Sequence, residues 1–247
     1  MFAASSSTPL FNRRGYSWCA RLALPLLLLT GNVPAAHARS FVVELEAPAA
    51  LKPVLEKQLH IYGEIADPAL TELRFGFLVR RATEEIKSIL MTEGYFSPEI
   101  KQRIERGADR SLAHFEVLPG EPSRISGIDL NFRGAIGEPG VENDQHRTDL
   151  RRRLSLRTNE IFRDAEWDKA KQQLLLALHL NRYPAARIVD SEALVESDAR
   201  TVSLRIEADS GPAFTFGELS IEGLNALPAT IVTSLNRIKP GSRYSER

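Results

Sequence analysis

Four histidines, His60, His114, His146 and His179, are the side chains in residues 39–247 best suited to acid–base work near neutral pH or to binding a transition metal. No two stand four residues apart, where one helix face would converge on an ion. The chain also holds no His-Glu-x-x-His and no Gly-x-Ser-x-Gly. Scattered in this way, the histidines read as surface or boundary residues. Gly134, Gly137 and Gly140 match a phosphate loop in composition only. The Gly-Lys-Ser/Thr ending that grips phosphate and magnesium is missing, so the segment reads as a flexible connection. Glu84 and Glu85 are helix neighbours pointing in different directions, which suits a solvated face better than an acid–base pair. Arg151, Arg152 and Arg153 form the densest basic run and fan over roughly 200° at helical spacing. With Glu142 and Asp149 close by they fit a solvated face. An anionic contact on a partner or lipid surface, weakened by salt, is the second reading. The sequence predicts no enzyme active site, no metal and no cofactor.

The 247 residues carry 32 Lys+Arg against 32 Asp+Glu, with 43% hydrophobic and 26% charged. Such fractions suit a folded chain, and this length allows one large domain or two to three small ones. Zero net charge gives no reason to expect a nucleic-acid partner, because neutralising phosphates needs clustered excess Lys and Arg. A single cysteine, Cys19, excludes an internal disulfide framework. Residues 1–38 are expected to be a cleaved signal peptide. Arg13, Arg14 and Arg21 form its basic flank, and Leu22–Thr30 is an apolar stretch too short to cross a ~30 Å bilayer core. Ala36-His37-Ala38 then supplies small residues at the spacing a signal peptidase reads. Cys19 precedes the apolar stretch and is misplaced for lipidation. Loss of those three arginines leaves 29 basic against 32 acidic residues, a net charge of −3. The chain is expected to be exported and itself to remain soluble.

Any function must be positioned by a repeat of about ninety residues. Ile86, Leu90 and Tyr95 return 88 residues later as Leu174, Leu178 and Tyr183, and Ile100 as Ile188. Phe115 and Val117, alternating before Gly120, match Leu204 and Ile206 before Gly211. Ile128 and Leu130 map to Leu219 and Ile221. Each unit opens with an alternating strand, Val42–Glu46 and Ile128–Phe132. A first helix follows, about Pro48–His60 and Asp144–Leu156. The second helix spans Leu73–Thr92, with Phe75, Leu78, Ala82, Ile86, Ile89 and Leu90 at three- and four-residue spacing and Gly94 as a left-handed C-cap. Its counterpart is about Asp164–Asn181, with Trp167, Leu174, Leu175 and Leu178 inward. Hairpins close the units: Glu99–Glu105 with Leu112–Leu118, and Ala186–Ser191 with Thr201–Ala208.

The expected fold is therefore α+β, with β-α-α-β-β units over 39–122 and 123–213. Each is a three-stranded mixed sheet with two helices on one face. A third unit begins at 214–247 with Phe216–Gly223 and a helix near Pro228–Asn236. A half unit cannot bury enough apolar surface to fold alone, so these residues either dock on the second unit or belong to a longer protein. The longer protein is the favoured expectation.

Three motifs in order resemble the polypeptide-transport-associated (POTRA) domains of the outer-membrane barrel-assembly superfamily, and within it the TamA-like translocation and assembly factors. They are Leu90-Met-Thr-Glu-Gly-Tyr-Phe-Ser-Pro98, Val117-Leu-Pro-Gly-Glu-Pro122 and Phe214-Thr-Phe-Gly-Glu-Leu-Ser-Ile-Glu-Gly223. Asn181-Arg182-Tyr183 departs from the usual Gly-Tyr, so an irregular cap is expected there.

The resemblance implies a non-enzymatic scaffold on the periplasmic side of the bacterial outer membrane, guiding unfolded outer-membrane proteins or autotransporters. It further implies a TamB-type inner-membrane-anchored partner, met through the first unit, and a C-terminal barrel absent from this chain. A free-standing periplasmic chaperone or adaptor without a barrel is the alternative. By the same resemblance, clients add a strand along the first strand of each closing hairpin. That is Glu99, Ile100, Lys101, Gln102, Arg103 and Ile104, then Ala186, Arg187, Ile188 and Val189. Lys101 and Arg103 equally suit protection of a sheet edge against uncontrolled pairing.

Overall fold

The computed structural model describes residues 39–223 and 229–246, so the expectations for residues 1–38 and for Pro228 lie outside it. The first unit runs β1 (Ser40–Glu46), α1 (Lys52–Gln58), α2 (Ile61–Glu64), α3 (Glu72–Thr92), β2 (Glu99–Arg106) and β3 (Arg110–Leu118). The second runs β4 (Arg124–Arg133), a 3-10 turn (Ala135–Gly137), α4 (Val141–Arg153), α5 (Asp164–His179), β5 (Arg187–Glu196) and β6 (Thr201–Asp209). A helix, α6 (Ala229–Leu235), follows. Each sheet is mixed: the last strand lies in the middle, parallel to the first and antiparallel to the second. The fold is α+β, as the periodicity predicts.

Two separate cores form. In the first, α3 turns Phe75, Val79, Ala82, Ile86 and Leu90 onto Phe41, Leu45, Ala113, Phe115 and Val117 of the sheet. In the second, Trp167, Ala170, Leu174 and Leu178 of α5 cover Leu130, Leu204, Ile206 and Ala208. Full burial stabilises each large side chain by roughly 1.5–3 kcal/mol. Leu175, expected inward, is only half-buried, because the 3-4-4 spacing of the inward stripe leaves it at the border.

Four local expectations are corrected. The first helix of unit one breaks at Leu59, whose extended ψ of 120° re-aims the chain so that Leu55, Leu59 and Ile61 all reach the core. In unit two the first helix starts and ends three residues earlier than expected. The glycine segment is a packed turn rather than a flexible connection. Ile136 is fully buried, its N–H donates to Ser210 Oγ at 3.1 Å, and Asn143 donates to the carbonyls of Ala135 and Glu138. Finally, the buried alternation pairs Ala113, Phe115 and Val117 with Leu204, Ile206 and Ala208, two residues along from the match drawn by sequence. A period of two cannot distinguish registers that differ by two.

The end of α3 is a Schellman cap: Tyr95 N–H donates to Leu90 O at 2.9 Å and Gly94 N–H to Met91 O at 3.0 Å, with Gly94 at φ +90°. Arg182 takes the same place in unit two. It adopts φ +62°, and Tyr183 N–H reaches Leu178 O at 3.3 Å. The departure from glycine changes the residue and keeps the left-handed backbone.

These caps carry the joints between units. Ser123 N–H donates to Gly94 O at 2.8 Å, and Phe162 N–H to Ser123 O at 3.0 Å. The third segment docks likewise: Phe214 N–H donates to Arg182 O at 2.8 Å, and Tyr244 N–H to Phe214 O at 3.2 Å. Within unit two Ile125 pairs with Asn159 and Glu160, and within the third segment Phe216 pairs with Gly241 and Ser242 in the same way. Asn159 and Gly241 both have positive φ, at 69° and 78°. The start of the third unit is thus tied to the second by backbone hydrogen bonds.

Candidate functional site

Three-stranded sheets leave two outer strands each, and their unpaired N–H and C=O groups are the chemistry this fold offers. The four outer strands differ in how that chemistry is covered. Along β2, Ile100 and Ile104 are half-buried against the first core, whereas Glu99, Lys101, Gln102 and Arg103 are exposed. β2 pairs only with β3 among the described residues, in unbroken register from Glu99↔Leu118 to Arg106↔Ser111. Gln102 Oε1 accepts from Thr83 Oγ1 of α3 at 2.8 Å, fastening the strand to the helix above it. Lys101 lies 3.5 Å from Glu116 and Arg103 3.0 Å from Glu105, exposed pairs of small energetic weight.

β5 is less regular. Ala186 does not belong to its edge: it precedes the strand, is buried, and gives its N–H to Tyr183 O at 3.0 Å. Its carbonyl lies 2.7 Å from His179 Nε2, so both backbone groups are engaged and a client strand finds nothing to pair with. Arg187 opens the strand, held by Asp209 at 3.0 Å. Ile188 is half-buried opposite Ala208, and Val189 sits in a bulge between Ile188 and Asp190. The regular edge, Asp190–Glu196, lies wholly beyond the four residues singled out by sequence. The alternation of Ser191, Ala193 and Val195 before the Ser197–Arg200 turn was the available signal.

β4 is covered at two points. Ile125 exchanges hydrogen bonds with Glu160 O at 2.9 Å and Asn159 N–H at 2.8 Å, and Arg151 Nη2 donates to Leu130 O at 2.9 Å. β1, Ser-Phe-Val-Val-Glu-Leu-Glu, has no bulge, proline, lysine or arginine, and pairs only with β3 among the described residues. Sequence reasoning passed over this edge.

Two carboxylates fasten the open strands at their ends. Glu72, first residue of α3, accepts Ser111 Oγ at 2.7 Å, Arg106 Nε at 2.8 Å and Arg39 Nη1 at 3.3 Å. The Ser111 hydroxyl chiefly, then the guanidiniums, hold its carboxyl below the usual range. Asp209 is lowered mainly by the Gly211 N–H at 3.0 Å and then by Arg187. The histidines are dispersed. His60 meets Glu85 at 3.0 Å, His114 lies near Glu44 and Glu46, His146 stacks on Tyr183, and His179 holds Ala186. Among the described residues no group of three His, Cys, Asp or Glu side chains converges to hold a metal. No helix among them is long and apolar enough to cross a membrane.

No protein-family model matches the chain, and no curated protein does. Solved structures give three likenesses. POTRA3-5 of Haemophilus influenzae BamA is 16% identical over 84% of this chain and 80% of that one, at a TM-score of 0.41. POTRA1-3 of the periplasmic domain of Omp85 from Anabaena is 16% identical over 84% and 78%, at 0.34. The N-terminal domain of Omp85 from Thermosynechococcus elongatus is 14% identical over 70% and 66%, at 0.29. The fold assignment rests on the strand order and registers above.

Proposed function

We propose that this chain is the periplasmic POTRA region of an outer-membrane translocation and assembly factor of the TamA type. It acts without catalysis, as a scaffold that guides outer-membrane proteins or autotransporters toward a barrel. The reading rests on one observation above all: β-α-α-β-β units repeat, and β2 and β5 leave their outer backbone groups unpaired among the described residues. The three motifs that resemble POTRA domains, with the cap at Gly94, support it. A TamB-type inner-membrane-anchored partner is assigned to the first unit. Placement at the periplasmic face is part of the same proposal, supported by the signal peptide expected over residues 1–38 and by the motifs that resemble POTRA domains.

Magnitudes fit transient handling. Four or five added backbone hydrogen bonds contribute about 1 kcal/mol each. This only matches the lower end of the ~4–15 kcal/mol cost of association. One strand addition is weak, and tandem units raise effective concentration. Photo-crosslinkers at Lys101, Arg103, Glu192 and Leu194 are expected to capture an unfolded outer-membrane protein. Folded protein that yields no crosslink at any of the four would overturn the client role. Deleting residues 40–120 is expected to abolish co-purification of the inner-membrane partner; unchanged recovery contradicts that assignment.

A further inference from the structure

A crevice of about 340 Å³ opens between β4 and the end of α4. Its floor is Ile128, Leu130, Leu154 and Leu156. Leu154 leaves the helix with ψ 132°, so that it and Leu156 both turn inward while Ser155 stays exposed. The rim is basic: Arg151, Arg152 and Arg157.

Neutral groups hold two of these guanidiniums, those of Arg151 and Arg157, in place. Arg151 donates to Leu130 O at 2.9 Å and lies 5.5 Å from the centre of the Phe132 ring. Arg157 donates to Leu156 O at 2.8 Å and also to Leu154 O. Neither guanidinium has a carboxylate partner among the described residues, although the Glu160 carboxylate accepts the Arg157 backbone N–H at 3.0 Å, and Arg152 meets only Asp149, at 3.4 Å on an exposed surface. On the open face of the same sheet, by contrast, Arg133, Arg187 and Arg205 each face a carboxylate. The negative end of α4 explains a basic last turn, but accounts for neither Arg157 nor the apolar floor. An arginine carries five N–H donors, so donors remain for an anion.

The crevice takes an alkyl chain better than a peptide strand. The β4 groups that a strand would need at Ile125 and Leu130 are already bonded to Asn159, Glu160 and Arg151. The volume is at the bottom of the ~300–1,000 Å³ range of small-molecule sites, which suits one chain rather than two. We propose that this crevice binds a single-chain anionic lipid, its alkyl chain over Leu130, Leu154 and Leu156 and its headgroup on Arg152 and Arg157.

Titration calorimetry of the full chain with decyl phosphate below its micellar concentration tests the site. Inorganic phosphate, decyl maltoside and an acidic extended peptide serve as separate arms. One decyl phosphate per chain is expected, at least tenfold tighter than phosphate or the maltoside and weakened by 0.5 M salt as screening requires, about 4 Å at that strength. Arg152→Gln, an exposed change, is expected to weaken binding at least threefold, and Arg152→Gln with Arg157→Gln at least tenfold. Arg81→Gln on α3 should leave it unchanged, with circular dichroism unaltered throughout. Equal affinity for phosphate leaves an adventitious ion only, and equal affinity for the maltoside leaves non-specific apolar contact. Displacement by the peptide identifies a polypeptide site instead. Each of these results, or no binding, or binding indifferent to Arg152→Gln, overturns the proposal.

Discussion

Glu72 ties the start of α3 to Ser111 of β3, Arg106 of β2 and Arg39 ahead of β1 through one carboxylate. Because its folded pKa is depressed, its contribution is present above the unfolded value of about 4.3 and is lost as pH falls through the lower folded value. Glu72→Gln is therefore expected to cost about 1 kcal/mol at pH 7. Urea midpoints of the two proteins should converge as the pH drops below ~4. An unchanged gap at pH 3 would assign the loss to packing. Nothing in the sequence marked Glu72, since its three partners lie 33 to 39 residues away. Gly94 was legible because only glycine sits easily at φ +90°, whereas Arg182 hid the same conformation behind a side chain that ordinarily avoids it.

Elements were readable where one period dominates over several turns or alternations. α3 and α5 show this, their inward residues recurring at three and four, as does β3 with its strict alternation. They were not readable where tertiary contacts choose the ending. The break at Leu59, the bulge at Val189 and the docking of Ala186 under His179 leave no periodic trace. The turn between β4 and α4 makes the point testable. Its glycines suggested looseness, yet Ile136 is fully buried between them and pins the connection to the second core. Ile136→Ala is expected to cost ~2–4 kcal/mol. Amide hydrogen exchange should quicken through β4 and β6 while α3 and β3 keep their protection. Uniform quickening in both units would show that the two cores unfold as one.

At the scale of the whole chain, units are joined through the end of one helix and the opening strand of the next unit. At the first joint a Cβ on residue 94 would clash with Phe162 O, and Glu93 meets Arg163 at 3.3 Å. Gly94→Ala is expected to open this joint and cost at least ~1 kcal/mol in backbone strain. X-ray scattering should then report a broader spread of dimensions with both units still folded. Arg182→Gly removes the strained side-chain position along with the 3.2 Å contact to Glu142, so opposing effects of similar size should leave stability within about 1 kcal/mol. The repetition was visible in sequence as spaced apolar residues, but the joints were not, because main-chain atoms make most of their bonds. That construction bears on how such chains grow. A copied stretch of gene carries both socket and plug with it, so the array can lengthen by duplication before any new surface has evolved to receive the extra member.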